Sequence, residues 1–231
     1  MIAKIKGIFI VLEFVVTILI LIMFLYMFKS KRHKIRKIWA NMESYIMGFN
    51  IIEKGKPDTE AKLILVNHQS VVDIIALEAI YPKDQCWVAK KELQQIPLFG
   101  HIITAPEMIA IDRKDKRSII KIIKLTKQRV SEGRVVAMFP EGTRGDGQNL
   151  LEFQNGAKIL AEKLNLKVQP IVITNTKHIF DSQKLTAHSG NITIEYLSSI
   201  DPKKDENWFT KMKEDMQGKL NDELANYTSH R

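Results

Sequence analysis

The 231-residue chain contains one cysteine, Cys86. That count excludes an internal disulfide, and a zinc site would need clustered Cys and His that are absent. Beside Trp87, Cys86 reads as a small buried hydrophobe. The chain also lacks the glycine-rich dinucleotide fingerprint and the phosphate loop of nucleotide-binding folds. It has no internal repeat and no low-complexity tract. Acidic residues are in short supply: 26 Asp and Glu stand against 35 Lys and Arg, a formal net charge of +9. Anionic partners are therefore favoured, whether a membrane surface, a phosphorylated substrate, an acidic protein or nucleic acid. The length suits one domain with a full core.

What the chain has in excess is apolar residues at its start. Residues 7–28 are almost wholly apolar, with Glu13 the one charge. About 22 residues at 1.5 Å each reach roughly 33 Å, enough to span a bilayer core. No small-residue cleavage site precedes the following basic run, so the segment reads as a retained anchor. The run at 29–37, Lys-Ser-Lys-Arg-His-Lys-Ile-Arg-Lys, competes as a nucleic-acid patch or a positive-inside flank. Adjacency to the apolar segment favours the flank, and no aromatic stacking platform for nucleic acid is visible. The expected location is the inner cell membrane, with the rest of the chain facing the cytoplasm. Residues 38–50 form a shorter amphipathic stretch with Trp39, Tyr45 and Phe49. It suits either an interfacial helix or a core helix. The expected division is thus an anchor over 1–50 and a folded domain over 51–231.

From about Ile51 short apolar runs alternate with longer amphipathic ones. Strands are expected at 62–67, 84–89, 108–112, 134–139, 168–174 and 191–197, and helices at 71–80, 115–132, 155–165 and 206–226. This alternation predicts an α/β layered domain.

The chemistry gathers around Asn67-His68-Gln69-Ser70-Val71-Val72-Asp73. A strand leads in and a helix leads out, so His68 stands at the corner and Asp73 in the helix. Two helical residues five apart would diverge by about 140°. A His on the corner itself can fold back on the Asp. The carboxylate then takes one ring N–H and leaves the other nitrogen free as a general base. Ser70 at such a corner reads as a helix cap. Downstream, Lys90 and Lys91 follow a strand, Ile111-Asp112-Arg113 ends another, and Phe139-Pro140-Glu141-Gly142-Thr143-Arg144 ends a third. Strand ends are where open α/β sheets hold ligands. Arg113 and Arg144 offer planar forks suited to phosphate, and Thr143 a hydroxyl.

Four blocks in this order carry a resemblance: Asn-His-Gln-Ser-x-x-Asp; Lys-Lys-Glu-Leu-x-x-Ile-Pro-x-Phe-Gly; Ile-Asp-Arg; Phe-Pro-Glu-Gly-Thr-Arg. Over roughly residues 60–175 the chain resembles the 1-acylglycerol-3-phosphate acyltransferases. The resemblance implies a layered glycerolipid-acyltransferase fold, with a mixed sheet flanked by helices behind an N-terminal membrane-anchoring helix. It implies His68 as base, Asp73 as its orienting partner, and Arg113 and Arg144 on the acceptor phosphate, with Lys90 or Lys91 as further candidates. Glu141 and Gly142 are implied to place the glycerol or shape the site. The implied partners are lysophosphatidic acid, membrane lipids and an acyl thioester on coenzyme A or acyl carrier protein. Neither a tightly bound cofactor nor a metal nor nucleic acid is implied. The chain departs from the family in having Glu107 where members often have Gly, and Gln154 where many have Lys.

Overall fold

The computed structural model describes residues 1–112 and 118–229, with side chains to residue 226. Its first three elements run together. Helix α1 (Ile2–Met27) passes through a single 3-10 turn, Lys29–Lys31, into helix α2 (Arg32–Met47). Gly48, at φ 75°, ends α2 in the left-handed conformation that glycine adopts without penalty. Strand β1 (Phe49–Lys54) begins at the next residue. The expected division at residue 50 falls inside this strand. Of the two readings of 38–50, the core helix is the one formed. Ala40 and Met47 of α2 are fully buried in a cluster with Ile75, Ala76 and Ala79.

All six expected strands and all four expected helices form, within a few residues of their bounds. In order they are β2 (Leu63–Val66), α3 (Val72–Ile80), β3 (Gln85–Lys90), β4 (Ile109–Ile111), α6 (Ser118–Ser131), β5 (Val135–Met138), α7 (Asn155–Leu164), β6 (Val168–Thr174), β9 (Gly190–Tyr196) and α9 (Trp208–Ser229). Residues 115–117 of the second expected helix lie outside the described residues. Between these come elements too short to carry a period: α4 (Lys91–Gln94), α5 (His101–Thr104), α8 (Thr176–Ile179) and a hairpin of β7 (Phe180–Asp181) and β8 (Thr186–Ala187).

The main sheet runs β1-β9-β6-β2-β5-β3-β4. Every neighbouring pair is parallel except β6 with β9. Strands β2, β5 and β6 are buried along their whole length, as befits a sheet with helices on both faces. The geometry has one consequence for function. Five adjacent parallel strands, β6, β2, β5, β3 and β4, release their C-terminal ends along a single edge, where the blocks of the sequence meet.

Helix α1 is not surrounded by solvent or lipid on all sides. Gly7, Ile10, Ile18, Leu21, Ile22 and Leu25 are buried against the rest of the chain. At Gly7 a Cβ would collide with the carbonyl of Leu185 in the β7–β8 hairpin. The Lys6 ammonium donates to the Met47 carbonyl (3.0 Å) and to Ser189 Oγ (2.7 Å). Glu13, the one charge in the apolar run, faces the domain beside Glu43 of α2. Glu43 accepts a hydrogen bond from Thr17 at 2.6 Å, and burial pushes its carboxyl up to about 7. The helix thus lies along the domain by one stripe and turns a broad apolar face outward.

Part of the basic run is likewise turned inward. Arg36 is buried, pairs with Glu78 and Asp84, and donates to the Gln85 carbonyl at 2.9 Å. Arg32 pairs with Asp84 (2.8 Å) and Glu107 (2.6 Å). These two arginines join α2 to the sheet, while Lys29, Lys31 and Lys34 remain exposed. Glu107 adopts φ 58°, a left-handed conformation that suits glycine. The Arg32 contact holds the strained residue in place.

Candidate active site

The site is built on the His68 corner. Strand β2 ends at Val66, and α3 starts at Val72. In the turn between them, Asp73 reaches back from the first turn of α3. One carboxylate oxygen, Oδ2, accepts the Gln69 N–H (2.7 Å), the Ser70 N–H (2.9 Å) and the His68 ring at Nδ1 (2.8 Å). The other, Oδ1, accepts the hydroxyl of Thr176. Asp73 is 0 % exposed, and four donors offset the cost of burying it. The His68 side chain is 13 % exposed. With Nδ1 on the carboxylate, Nε2 is the nitrogen available to a substrate. The ring stacks on Phe139, centroids 3.8 Å apart, and Phe139 stacks in turn on Trp87 at 5.0 Å.

The loop after β5 fastens the same corner from the other side. Glu141 Oε1 accepts the His68 backbone N–H at 2.7 Å, and Oε2 accepts that of Leu151 at 2.8 Å. The His68 carbonyl accepts the Gly145 N–H at 2.8 Å. Burial, with the nearby Asp73 charge adding to it, pushes the Glu141 carboxyl up to about 7 against the pull of its two N–H donors. Gly142, at φ 72°, supplies the turn that brings this loop back. Glu141 thus ties the loop to the corner rather than presenting a free carboxylate to a ligand. Ser70 is also committed: its hydroxyl donates to the Phe180 carbonyl (2.7 Å) and accepts the Val72 N–H (3.4 Å). Cys86 is fully buried, and burial raises its thiol.

The expected cations are placed more loosely. Thr143 and Arg144 are exposed, and Arg144 donates to Ser182 Oγ at 3.1 Å. Lys90 and Lys91 stand exposed at the end of β3, and Lys91 lies 3.9 Å from Asp112. Arg113 lies outside the described residues. An apolar cavity of about 400 Å³ opens beside Phe139 and Gly142, with Val88, Ile111, Ile122 and Met138 in its wall and the start of α7 at its rim.

Residues after β6 join the site unforeseen. Thr176 holds Asp73, Ser182 holds Arg144, and the Lys177 ammonium donates to the Gly145 carbonyl at 3.2 Å. None belongs to a recognisable block. The signal Thr176 and Lys177 leave in sequence is their position just past the end of a strand parallel to β2, and Ser182 follows β7.

Comparison with known proteins gives the family and the fold. The profile of the Acyltransferase family matches residues 50–174. A 1-acyl-sn-glycerol-3-phosphate acyltransferase of Helicobacter pylori is 45% identical over 174 residues, 74% of this chain and 73% of that protein. One of Cocos nucifera is 31% identical over 165 residues, 71% of this chain and 54% of that protein. The crystal structure of the 1-acyl-sn-glycerophosphate acyltransferase PlsC from Thermotoga maritima superposes with a TM-score of 0.80 at 19% identity, covering 96% of both chains, and so shares the fold. The four blocks, the sheet and these relatives converge: the chain belongs to the 1-acyl-sn-glycerol-3-phosphate acyltransferase family of enzymes.

Proposed function

We propose that this enzyme transfers an acyl group from an acyl thioester, on coenzyme A or acyl carrier protein, to the sn-2 hydroxyl of 1-acylglycerol 3-phosphate, giving phosphatidic acid for phospholipid synthesis. The observation that carries this reading is the His68–Asp73 pair, locked at a strand end beside an apolar cavity. Asp73 orients the imidazole through Nδ1 and stabilises the imidazolium that forms. His68 Nε2 takes the proton of the sn-2 hydroxyl as its oxygen attacks the thioester carbonyl. The tetrahedral oxyanion collapses, the C–S bond breaks, and the departing thiolate takes the proton from His68. The proton balance closes without a redox change, so the step calls for no tightly bound cofactor. Ser70 and Cys86 are occupied or buried, which supports direct transfer over a covalent acyl-enzyme.

Arg144 and Thr143 take the acceptor phosphate, with Arg113 as a second guanidinium and Lys90 or Lys91 as outer cations. Gly142 lets substrate approach the loop backbone. The cavity accepts part of an acyl chain. The free face of α1 lies in the inner membrane from its cytoplasmic side, because a helix packed along its length on a polar domain leaves one face for lipid. The exposed Lys29, Lys31 and Lys34 then meet anionic headgroups.

The test is product analysis with purified protein, lysophosphatidic acid and either acyl donor. Phosphatidic acid is expected from wild type and not from folded His68→Ala. Failure to form it with both donors, or acylation of a phosphate-free acceptor at the same rate, would overturn the reading. Acyl label retained on denatured protein would overturn direct transfer.

A further inference from the structure

We propose that the turn between β3 and α5 is a second membrane-contacting element, whose Leu93, Ile96 and Leu98 enter the bilayer interface beside α1. The inference rests on the membrane reading of α1 and adds a surface that the reaction itself does not require.

Residues 90–98 are exposed without a break, the longest such stretch outside the N-terminal and C-terminal helices among the described residues. Soluble turns of this kind are polar, yet here Leu93 is 46 %, Ile96 46 % and Leu98 63 % exposed. The turn is also built rather than loose. The Gly100 N–H bonds the Ile96 carbonyl at 2.7 Å, and that of His101 bonds the Leu98 carbonyl at 3.2 Å. A Cβ on Gly100 would collide with the Gln94 carbonyl, so the backbone closes tightly there. Leu98 itself sits at φ 64°, a conformation leucine rarely adopts. The chain thus holds a strained backbone at the residue that projects the most exposed of the three side chains.

Continuity with α1 identifies the occupant. The turn leads straight into α5, which packs on the C-terminal half of α1. Ile102 lies against Leu21 and Leu25, and the Tyr26 hydroxyl meets His101 Nδ1 at 2.6 Å with the rings edge-on. Around Tyr26, α1 leaves Met23, Phe24 and Met27 exposed. An apolar turn next to an apolar helix face makes one larger patch, and patches of that kind mark membrane or protein contacts. Lys90 and Lys91 open the same stretch, placing cations where anionic headgroups would lie. Lipid is therefore the partner whose chemistry fits both the apolar tip and the basic base of the turn.

The test uses the full chain and reads depth rather than activity. Cys86 is buried, so a Cys86→Ala background carrying Leu98→Cys can be labelled at one place with an environment-sensitive fluorophore. Ile96→Cys serves as a second position, Phe9→Cys on the free face of α1 as the immersed reference, and Lys203→Cys as the aqueous one. On adding vesicles of phosphatidylethanolamine and phosphatidylglycerol, the probes at 98 and 96 should shift to the blue and lose their quenching by iodide, as the probe at 9 does. The probe at 203 should stay quenched. A probe at 9 that is shielded while those at 98 and 96 stay quenched would overturn the proposal and leave the α1 reading standing. Quenching retained at all four positions would overturn both. Shielding at 98 that grows with protein concentration in the absence of vesicles would make a second copy of the chain the occupant and overturn the lipid assignment.

Discussion

The His68 corner and the Arg144 end of the neighbouring loop are proposed to serve one site, yet they are held to different standards. At the corner, His68 is fixed at its ring, its N–H and its carbonyl, and Asp73 by four donors. Arg144 is exposed and donates to Ser182 Oγ at 3.1 Å. The difference fits the roles proposed for each. Proton transfer needs a hydrogen bond of the right length and direction, so its partners must be set in advance. Coulomb attraction falls slowly with distance, so an arginine can find a phosphate after the substrate arrives. Preorganisation is concentrated where geometry is least forgiving.

The largest effect that would test this contrast is loss of the base. His68→Ala should lower kcat/KM for acyl transfer by about 10²–10⁴ while cooperative unfolding persists, since the corner is held by backbone contacts and Asp73 as well. A folded His68→Ala enzyme within about tenfold of wild type would remove His68 as the base.

Glu141 comes next, through stability. Its carboxyl titrates near 7 in the folded state, against about 4.3 when unfolded. Between those values the folded state binds the extra proton. Its contribution is therefore fully present below about pH 4.3 and lost as pH rises to about 7, a change of about 2–4 kcal/mol. Glu141→Gln removes this titration. Chemical denaturation across pH 4–8 should show the difference between wild type and variant changing by that amount, and a pH-independent difference would contradict the burial argument.

On the looser side, Arg144→Lys keeps the charge but loses the fork. It should cost about 1.5–3 kcal/mol, or roughly 10–150-fold in kcat/KM for the phosphorylated acceptor, with the thioester KM little changed. If wild type and Arg144→Lys discriminate equally between phosphorylated and neutral acceptors, Arg144 is not on the phosphate.

The smallest effect sharpens the contrast most. Thr176→Val removes one of four donors to Asp73 and should lower kcat by roughly 2–12-fold, the equivalent of about 0.5–1.5 kcal/mol. Thr176→Ser should restore it. Equal activity in all three proteins would show that the corner tolerates a missing donor.

The sequence by itself was enough for the α/β class, the family, six strands of the main sheet and the fold-back of His68 on Asp73. Each of these rests on local pattern: short apolar runs, a strand-to-helix corner, and four blocks in fixed order. The tertiary structure decided what depends on residues far apart in the chain. β1 exists because Phe49–Lys54 finds β9, more than 130 residues later, and its own alternation is too weak to announce it. Arg36 reads in sequence as one more cation of the positive-inside flank, but α2 carries it onto Glu78 and Asp84. Glu141 is implied by the resemblance to place the glycerol or shape the site, and only the fold shows its carboxylate accepting two backbone N–H groups. Thr176 carries no motif, but β6 lies beside β2 in parallel and ends at the same edge, which delivers its hydroxyl to Asp73. Local periodicity encodes which elements form, whereas the partner of a buried charge is set only when strand order brings distant ends together.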